Sequence, residues 1–199
     1  MRAVTGDEII ELIGQGIGFI AIALAIISFQ AKTRAGILIL QGAANLVWSV
    51  HFLMLGTVVG AATTFIAGAR NLLYAAKGRW RWVGHPAVPL VFSAIGITVG
   101  ILTYENLFSI LIISANVVSA LSYSLNREKL IRLFSLYVSG AWLIFNSFAV
   151  LSIAGIGSES FNIISILVSL FRYRKKRNSP ISDTENLNTP TAVKADSKE

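Results

Sequence analysis

Long apolar segments alternate with short polar links over residues 1–177 of the chain. A helix needs about 20 residues to cross the hydrocarbon core of a bilayer, with roughly 17 as the lower limit. Segments of about that length occupy residues 10–31, 36–56, 58–76, 86–103, 106–125, 130–153 and 157–173. This pattern predicts an all-α polytopic membrane protein with seven transmembrane helices.

The first segment resembles a membrane helix more than a secretory signal. Its amino-terminal flank carries Asp7, Glu8 and Glu11 against a single basic residue, Arg2. A signal peptide has a basic flank and a shorter apolar region. We therefore expect this segment to be retained as the first helix.

The composition excludes a water-soluble domain. Hydrophobic residues make up 54% of the 199 positions and charged residues only 14%, and the mean hydropathy is +0.68. Soluble domains carry about 25% charged residues. Cysteine is absent, which excludes disulfides and thiolate metal sites.

The basic residues lie in alternate links. A net charge of +7 is compatible with nucleic-acid binding, but its distribution favours a membrane protein. The basic positions are Lys32 and Arg34, then Lys77, Arg79 and Arg81, then Arg127, Lys129 and Arg132, then the run RYRKKR at 172–177. The other links contain no Lys or Arg. Because positive charge collects in cytoplasmic links, we expect an outside N-terminus, a cytoplasmic C-terminus and no nucleic-acid partner.

Residues 178–199 differ in composition from the rest of the chain. They are polar and contain Pro and Ser but almost no large apolar residues, so we expect a disordered cytoplasmic tail. The basic run before them has two interpretations, a site for anionic lipid headgroups or an anchor that stops translocation. The anchor is the more common role of such a run.

The sequence contains an internal repeat. A shift of 94 residues aligns the second segment with the sixth and places Trp48 on Trp142; three further residues in the next link align Gly60 with Gly157. The predicted membrane domain, residues 1–177, then has repeat one at about 10–76, an inverting linker helix at about 86–103 and repeat two at about 106–173. Such parallel repeats are typical of some transporters.

Polar and aromatic residues form a stripe on each of four predicted helices. With 100° per residue, the stripes are Gln41, Asn45, Trp48 and Phe52; Ser135, Ser139, Trp142 and Asn146; Ser109, Asn116 and Tyr123; and Thr63, Arg70 and Tyr74, with Asn71 flanking. Polar groups are costly against lipid, so these stripes should face inward.

Two interpretations of the stripes remain open. Asn, Ser and small residues hold membrane helices together, and this is the stronger reading of any single position. The set as a whole favours a shared cavity in which Trp48 and Trp142 face one another, because an aromatic wall with amide groups is typical of a small-ligand site. The candidate substrate-binding residues are Asn45, Trp48, Arg70, Asn71, Asn116, Trp142 and Asn146.

Arg70 is a cation inside the third apolar segment, away from its ends. A long side chain near the end of a helix can extend to the membrane surface, but Cβ bonds tilt toward the start of a helix. We expect the side chain to point toward mid-membrane, held by Asn or carbonyl groups. There it would attract an anionic or carbonyl-bearing solute.

Catalysis is not expected. His51 and His85 lie in different settings and make no metal site, and no carboxylate is placed near mid-depth as a base or proton carrier. We expect no catalytic residue, no metal and no cofactor.

Three motifs support a family resemblance: SFQAKTR at 28–34, HFLMLGTVVGA at 51–61 and ARNLL at 69–73. They resemble the bacterial inner-membrane proteins of the YgjV family. The 3+1+3 arrangement resembles the SWEET, MtN3 and PQ-loop transporters, although Phe29-Gln30 and Tyr123-Ser124 stand where a Pro-Gln pair is expected. The resemblance implies a multi-pass protein of the bacterial inner (plasma) membrane.

Transport is the function that these features favour. We expect a facilitative transporter of a small polar or anionic metabolite, which would pass through a cavity between the two repeats. The alternative is a non-transporting membrane protein with a ligand-binding or structural role. The lipid bilayer is the expected partner, and a homo-oligomer is compatible with the sequence.

Overall fold

The computed structural model describes residues 6–28, 30–122 and 128–178. Within these ranges there is no strand, and seven α-helices form: α1 (Gly6–Ser28), α2 (Arg34–Met54), α3 (Val58–Ala75), α4 (Ala87–Leu102), α5 (Leu107–Ser122), α6 (Glu128–Phe145) and α7 (Ile153–Asn178). A π-helical turn, Asn146–Val150, extends α6. The all-α prediction is confirmed. Tyr123 lies outside the described ranges, and so does the predicted tail at 178–199 except for its first residue.

Three stretches are long and apolar enough to cross a membrane: Glu8–Ser28, Arg34–Met54 and Leu130–Val150. The apolar helices Ala87–Leu102, Leu107–Ser122 and Ile153–Val168 are shorter. Many large apolar side chains, among them Phe19, Phe65 and Phe148, point outward and are exposed. An outer surface of this kind suits lipid rather than water.

Helices α2 and α3 each begin with a threonine N-cap. The side-chain oxygen of Thr33 accepts a hydrogen bond from the Gly36 amide at 3.1 Å, and that of Thr57 accepts one from the Gly60 amide at 3.3 Å. Each threonine thus satisfies one of the amides that a helix leaves unpaired at its start. Helix α4 begins directly after Pro86, as the proline position predicts.

The start of α7 corrects the sequence prediction. The apolar pattern indicated a start near residue 157, with residues 153–159 as a link, whereas the helix begins at Ile153. Leu151 adopts a left-handed conformation with φ of 55°, and the Ser152 hydroxyl accepts a hydrogen bond from the Gly155 amide at 2.9 Å. This turn and cap reverse the chain within two residues, so the Gly- and Ser-rich stretch that follows is helical.

Six of the helices pack into a closed ring. Contacts between helices run from α1 to α2, α3, α5, α6 and α7 and back to α1, and α4 packs against α3 and α5. Helices α2 and α3 approach closely at Gly42 and Gly68, where a Cβ atom on Gly68 would lie 3.1 Å from the Gly42 carbonyl oxygen. Small residues permit this approach between membrane helices. The ring encloses the space that the inward stripes face.

Candidate functional site

A cavity of about 310 Å³ lies at the centre of the ring. All of its lining residues belong to α1, α2, α3, α5, α6 with its π-helical turn, and α7. The seven residues predicted from the stripes all line it: Asn45, Trp48, Arg70, Asn71, Asn116, Trp142 and Asn146. Residues that are up to 101 positions apart in the chain therefore line one cavity, whatever their role there.

An aromatic wall closes one side of this central cavity. The Phe52 ring is stacked on Trp48 with centroids 5.8 Å apart and on Trp142 with centroids 5.4 Å apart. The prediction that the two tryptophans face one another across a common cavity is altered in one respect, since both line the cavity but Phe52 is stacked between them. The reason is the register of α2, in which Phe52 follows Trp48 by one helical turn.

Arg70 is buried, with 3% of its surface exposed. Its Nη2 donates a hydrogen bond to the Ser119 hydroxyl at 3.1 Å. The Asn116 amide, bonded to the Thr63 carbonyl oxygen at 3.0 Å, sets the register of α5 against α3. Ser119 lies three residues beyond Asn116 on α5, whereas Arg70 lies seven residues beyond Thr63 on α3. The guanidinium therefore points back toward the start of α3 by about four residues, or roughly 6 Å. This is the direction that the Cβ tilt predicts.

Three of the asparagines bind the protein's own backbone; the Asn45 amide donates to the Gln41 carbonyl oxygen at 2.9 Å. The Asn146 amide donates to the Trp142 carbonyl oxygen at 2.9 Å, and the Asn116 amide bridges two helices. The buried Asn116 Oδ1 faces Gly96 of α4, because a Cβ atom there would lie 3.3 Å from it. Asn146 Oδ1 packs against Gly155. For these positions the geometry favours the helix-packing interpretation.

Glu159 is a cavity residue that the sequence reasoning missed. The sequence analysis considered only carboxylates near mid-depth, whereas Glu159 lines the central cavity. Its Oε2 accepts a hydrogen bond from the Asn162 amide at 3.3 Å, and the Ser139 side chain is a further hydrogen-bond partner. The available signal was the spacing of Gly155, Glu159 and Asn162, which lie on one helix face if α7 begins before residue 157.

One end of the bundle is closed by hydrogen bonds between distant segments. We call it the latched end; it comprises the links at 55–57, 103–106 and 151–152. The buried His51 lies there, with Nδ1 2.7 Å from the Gly14 carbonyl oxygen and Nε2 2.8 Å from the Ser152 hydroxyl. Since a carbonyl oxygen only accepts, Nδ1 carries the proton and Nε2 accepts from Ser152.

Glu105 makes a second connection at the latched end. Its Oε1 accepts hydrogen bonds from the Val58 amide and, at 3.0 Å, from the Val59 amide, while Oε2 accepts from the Thr57 hydroxyl at 2.9 Å. A carboxylate at the start of a helix also interacts favourably with the helix dipole. The α4–α5 link is thereby attached to the start of α3.

The opposite end of the bundle adjoins a second cavity. We call this end the basic end; α1, α3 and α5 end there, at Ser28, Ala75 and Ser122. The second cavity, of about 470 Å³, extends toward it and shares Ser119, Ser139 and Asn162 with the central cavity. Arg132 is among its lining residues.

The described residues hold no group of three or more His, Cys, Asp or Glu side chains that could bind a metal ion.

Comparison with known proteins gives one family. No curated protein and no solved structure matches the chain. The model of a family described as bacterial inner membrane protein, Imp-YgjV, matches residues 12–177, which is nearly all of the helical region. The central cavity is therefore part of the segment that defines the family, and the chain belongs to the YgjV family of bacterial inner membrane proteins.

Proposed function

We propose that the protein is a facilitative transporter of a small polar or anionic solute, which passes through the central cavity. The observation that carries the proposal is the closed ring of six helices around one polar cavity with an aromatic wall. Small-solute sites are concave, largely apolar and equipped with a few polar groups. In this proposal the amide and guanidinium groups replace the water that a solute leaves behind.

The ring is consistent with the 3+1+3 repeat. If α1, α2 and α3 correspond to α5, α6 and α7, a two-fold axis along the membrane normal exchanges the two units. The contact of α3 with α5 then corresponds to the contact of α7 with α1, and both are present. The leftover helix, α4, packs on the outside of the ring and contributes nothing to the cavity lining. This arrangement favours transport between two units related by such an axis.

The charges set the proposed orientation. Lys32, Lys77 and Arg79 lie in links at the basic end, so this end would face the cytoplasm and the latched end the outside. In this proposal the bonds of His51 and Glu105 close the outer side of the bundle, as one state of an alternating-access cycle requires.

A second candidate function is a non-transporting membrane protein that binds a ligand or has a structural role. The amides of Asn116 and Asn146, bonded to backbone carbonyl oxygens, favour it. A protein of this kind would hold its helices in one arrangement permanently. Catalysis is not part of either proposal.

Proteoliposomes provide the test. The purified protein would be assayed for equilibration of labelled amino acids, organic acids and sugars. Ala67 lines the cavity, so Ala67→Phe should fill it and abolish any flux. Ala69 is exposed on the opposite face of the same helix, and Ala69→Phe is the matched control that should leave flux unchanged. Equal flux in the two variants, or none for any solute with the native chain, would contradict transport.

A further inference from the structure

We infer that a further cavity at the basic end binds the phosphate group of an anionic lipid, with Arg34 and Lys77 as the binding residues. This cavity, which we call the link cavity, has a volume of about 220 Å³. Its lining residues are different from those of the central cavity. The inference therefore goes beyond the proposed function and stands without it.

The first step is the charge of the link cavity. Arg34, Lys77 and His85 are among the residues that line it, and no Asp or Glu is. The α1–α2 link at 29–33 and the α3–α4 link at 76–86 contain no acidic residue either. A concave surface with only basic charges favours an anion, and a basic pocket between membrane helices favours a lipid phosphate.

The second step is the placement of the two cations. Leu38 of α2 and Tyr74 of α3 belong to one buried apolar cluster. Arg34 precedes Leu38 by four residues, and Lys77 lies three residues after Tyr74, so each is about one helical turn, roughly 5 Å, from the cluster. Because α2 begins at the basic end and α3 ends there, both turns lead in the same direction. Arg34 and Lys77 therefore lie at one level of the bundle, where they line the same small cavity.

The third step is the order of the α3–α4 link. Val83 is 2% exposed and belongs to the same buried cluster, which holds this link on the bundle. His85 Nδ1 accepts a hydrogen bond from the Ala87 amide at 3.2 Å, which fixes the link to the start of α4. The Lys77 side chain packs over Gly84, where a Cβ atom would lie 3.0 Å from Cε. A side chain that is already held in place loses less conformational entropy when it binds a ligand.

The fourth step is the source of the phosphate. Trp80 and Trp82 of the α3–α4 link are exposed and stacked, with centroids 6.2 Å apart. Tryptophan is enriched at the depth of lipid headgroups, which favours a position of this link at the membrane surface. The cavity is smaller than the roughly 300–1,000 Å³ of sites that enclose a whole small molecule. It suits a headgroup whose acyl chains remain in the bilayer.

The experiment measures the thermal stabilisation of the full chain in a neutral detergent at increasing probe concentration. The probes are phosphatidylglycerol, phosphatidylcholine and soluble glycerol 3-phosphate. A neutral micelle has no surface charge that would attract every exposed Lys and Arg alike. Phosphatidylglycerol should bind about tenfold or more tightly than phosphatidylcholine, whose choline group repels the two cations. Glycerol 3-phosphate at the same concentration should give no shift.

Four single variants locate the site. Arg34→Gln and Lys77→Gln should each weaken the binding of phosphatidylglycerol about tenfold, the size of one lost charge-assisted hydrogen bond. Lys32→Gln and Arg79→Gln are the matched controls. They remove the same charge from neighbouring positions that are not among the lining residues of the link cavity, and they should leave the affinity unchanged. All four side chains are exposed, so the variants should fold.

The inference is overturned if all four variants lose affinity equally, because the lipid would then be attracted by the basic surface as a whole. Equal binding of the two lipids, or no stabilisation by any probe, would also overturn it. Glycerol 3-phosphate that binds the native chain, and more weakly only Arg34→Gln and Lys77→Gln, would support the phosphate site and overturn the lipid as its source. None of these outcomes bears on flux through the central cavity.

Discussion

The two ends of the bundle use their polar side chains in different ways. At the latched end, side chains connect segments far apart in the chain, as when His51 bonds to Gly14 and Ser152. At the basic end, two serines bond within their own helices: Ser122 to the Ser119 carbonyl oxygen at 2.7 Å and Ser135 to that of Ile131 at 2.9 Å. Bonds within a helix leave neighbouring helices free to separate, whereas bonds between helices hold them together.

This difference indicates where the bundle can open. Buried hydrogen bonds between helices are strong where water does not compete, and the latched end has them at two places, around His51 and around Glu105. The adjoining cavity lies toward the basic end. An alternating-access cycle would therefore have to break the latched end, and three predictions address that comparison.

The largest expected effect concerns the side of the membrane that each end of the bundle faces, and its readout is all-or-none. A reporter that is active only in the cytoplasm should work when fused after residue 177, and one that is active only outside should work when inserted in the 103–106 link. The reason is the alternation of basic links. Residues 153–159 are unsuitable for an insertion because they are helical. The reverse pattern would assign the latched end to the cytoplasm.

The next effect concerns His51. His51→Ala removes two hydrogen bonds and leaves the Gly14 carbonyl oxygen and the Ser152 hydroxyl buried without this partner. We expect the free energy of unfolding to fall by about 3 kcal/mol, measured by denaturant or thermal unfolding in detergent. The other histidine is a matched control, because His85 is exposed and His85→Ala should cost little. Equal effects of the two substitutions would show that the His51 connection does not hold the latched end.

The smallest effect concerns Glu105. Glu105→Gln keeps the size of the side chain but loses the charge at the start of α3, which should cost about 1 kcal/mol. The more sensitive measurement uses the absence of native cysteine. With Ser158→Cys in the cavity lining, an impermeant thiol reagent applied at the latched end should label Glu105→Gln faster than the parent. Unchanged labelling, as expected for Glu11→Gln, would mean that Glu105 only caps the helix.

Local features of the sequence account for most of the helices and for the faces they turn inward. The starts of α2 and α4 follow from Thr33 and Pro86, since a cap or a proline acts within one turn. The seven candidate binding residues were found by helical periodicity, which needs only the spacing of residues within a helix. All seven line the central cavity, and that they bind a solute stays a prediction.

Tertiary structure decided the features that depend on pairs of distant residues. Glu159 faces the cavity because of the way α7 packs against α6, and the bond between His51 and Ser152, 101 positions apart, accompanies the left-handed turn that starts α7 early. Phe52 lies between Trp48 and Trp142 only once α2 and α6 are brought together. Periodicity within a helix specifies which residues face inward. The residue that each of them contacts depends on how the helices pack, and no local sequence pattern specifies the register of one helix against another.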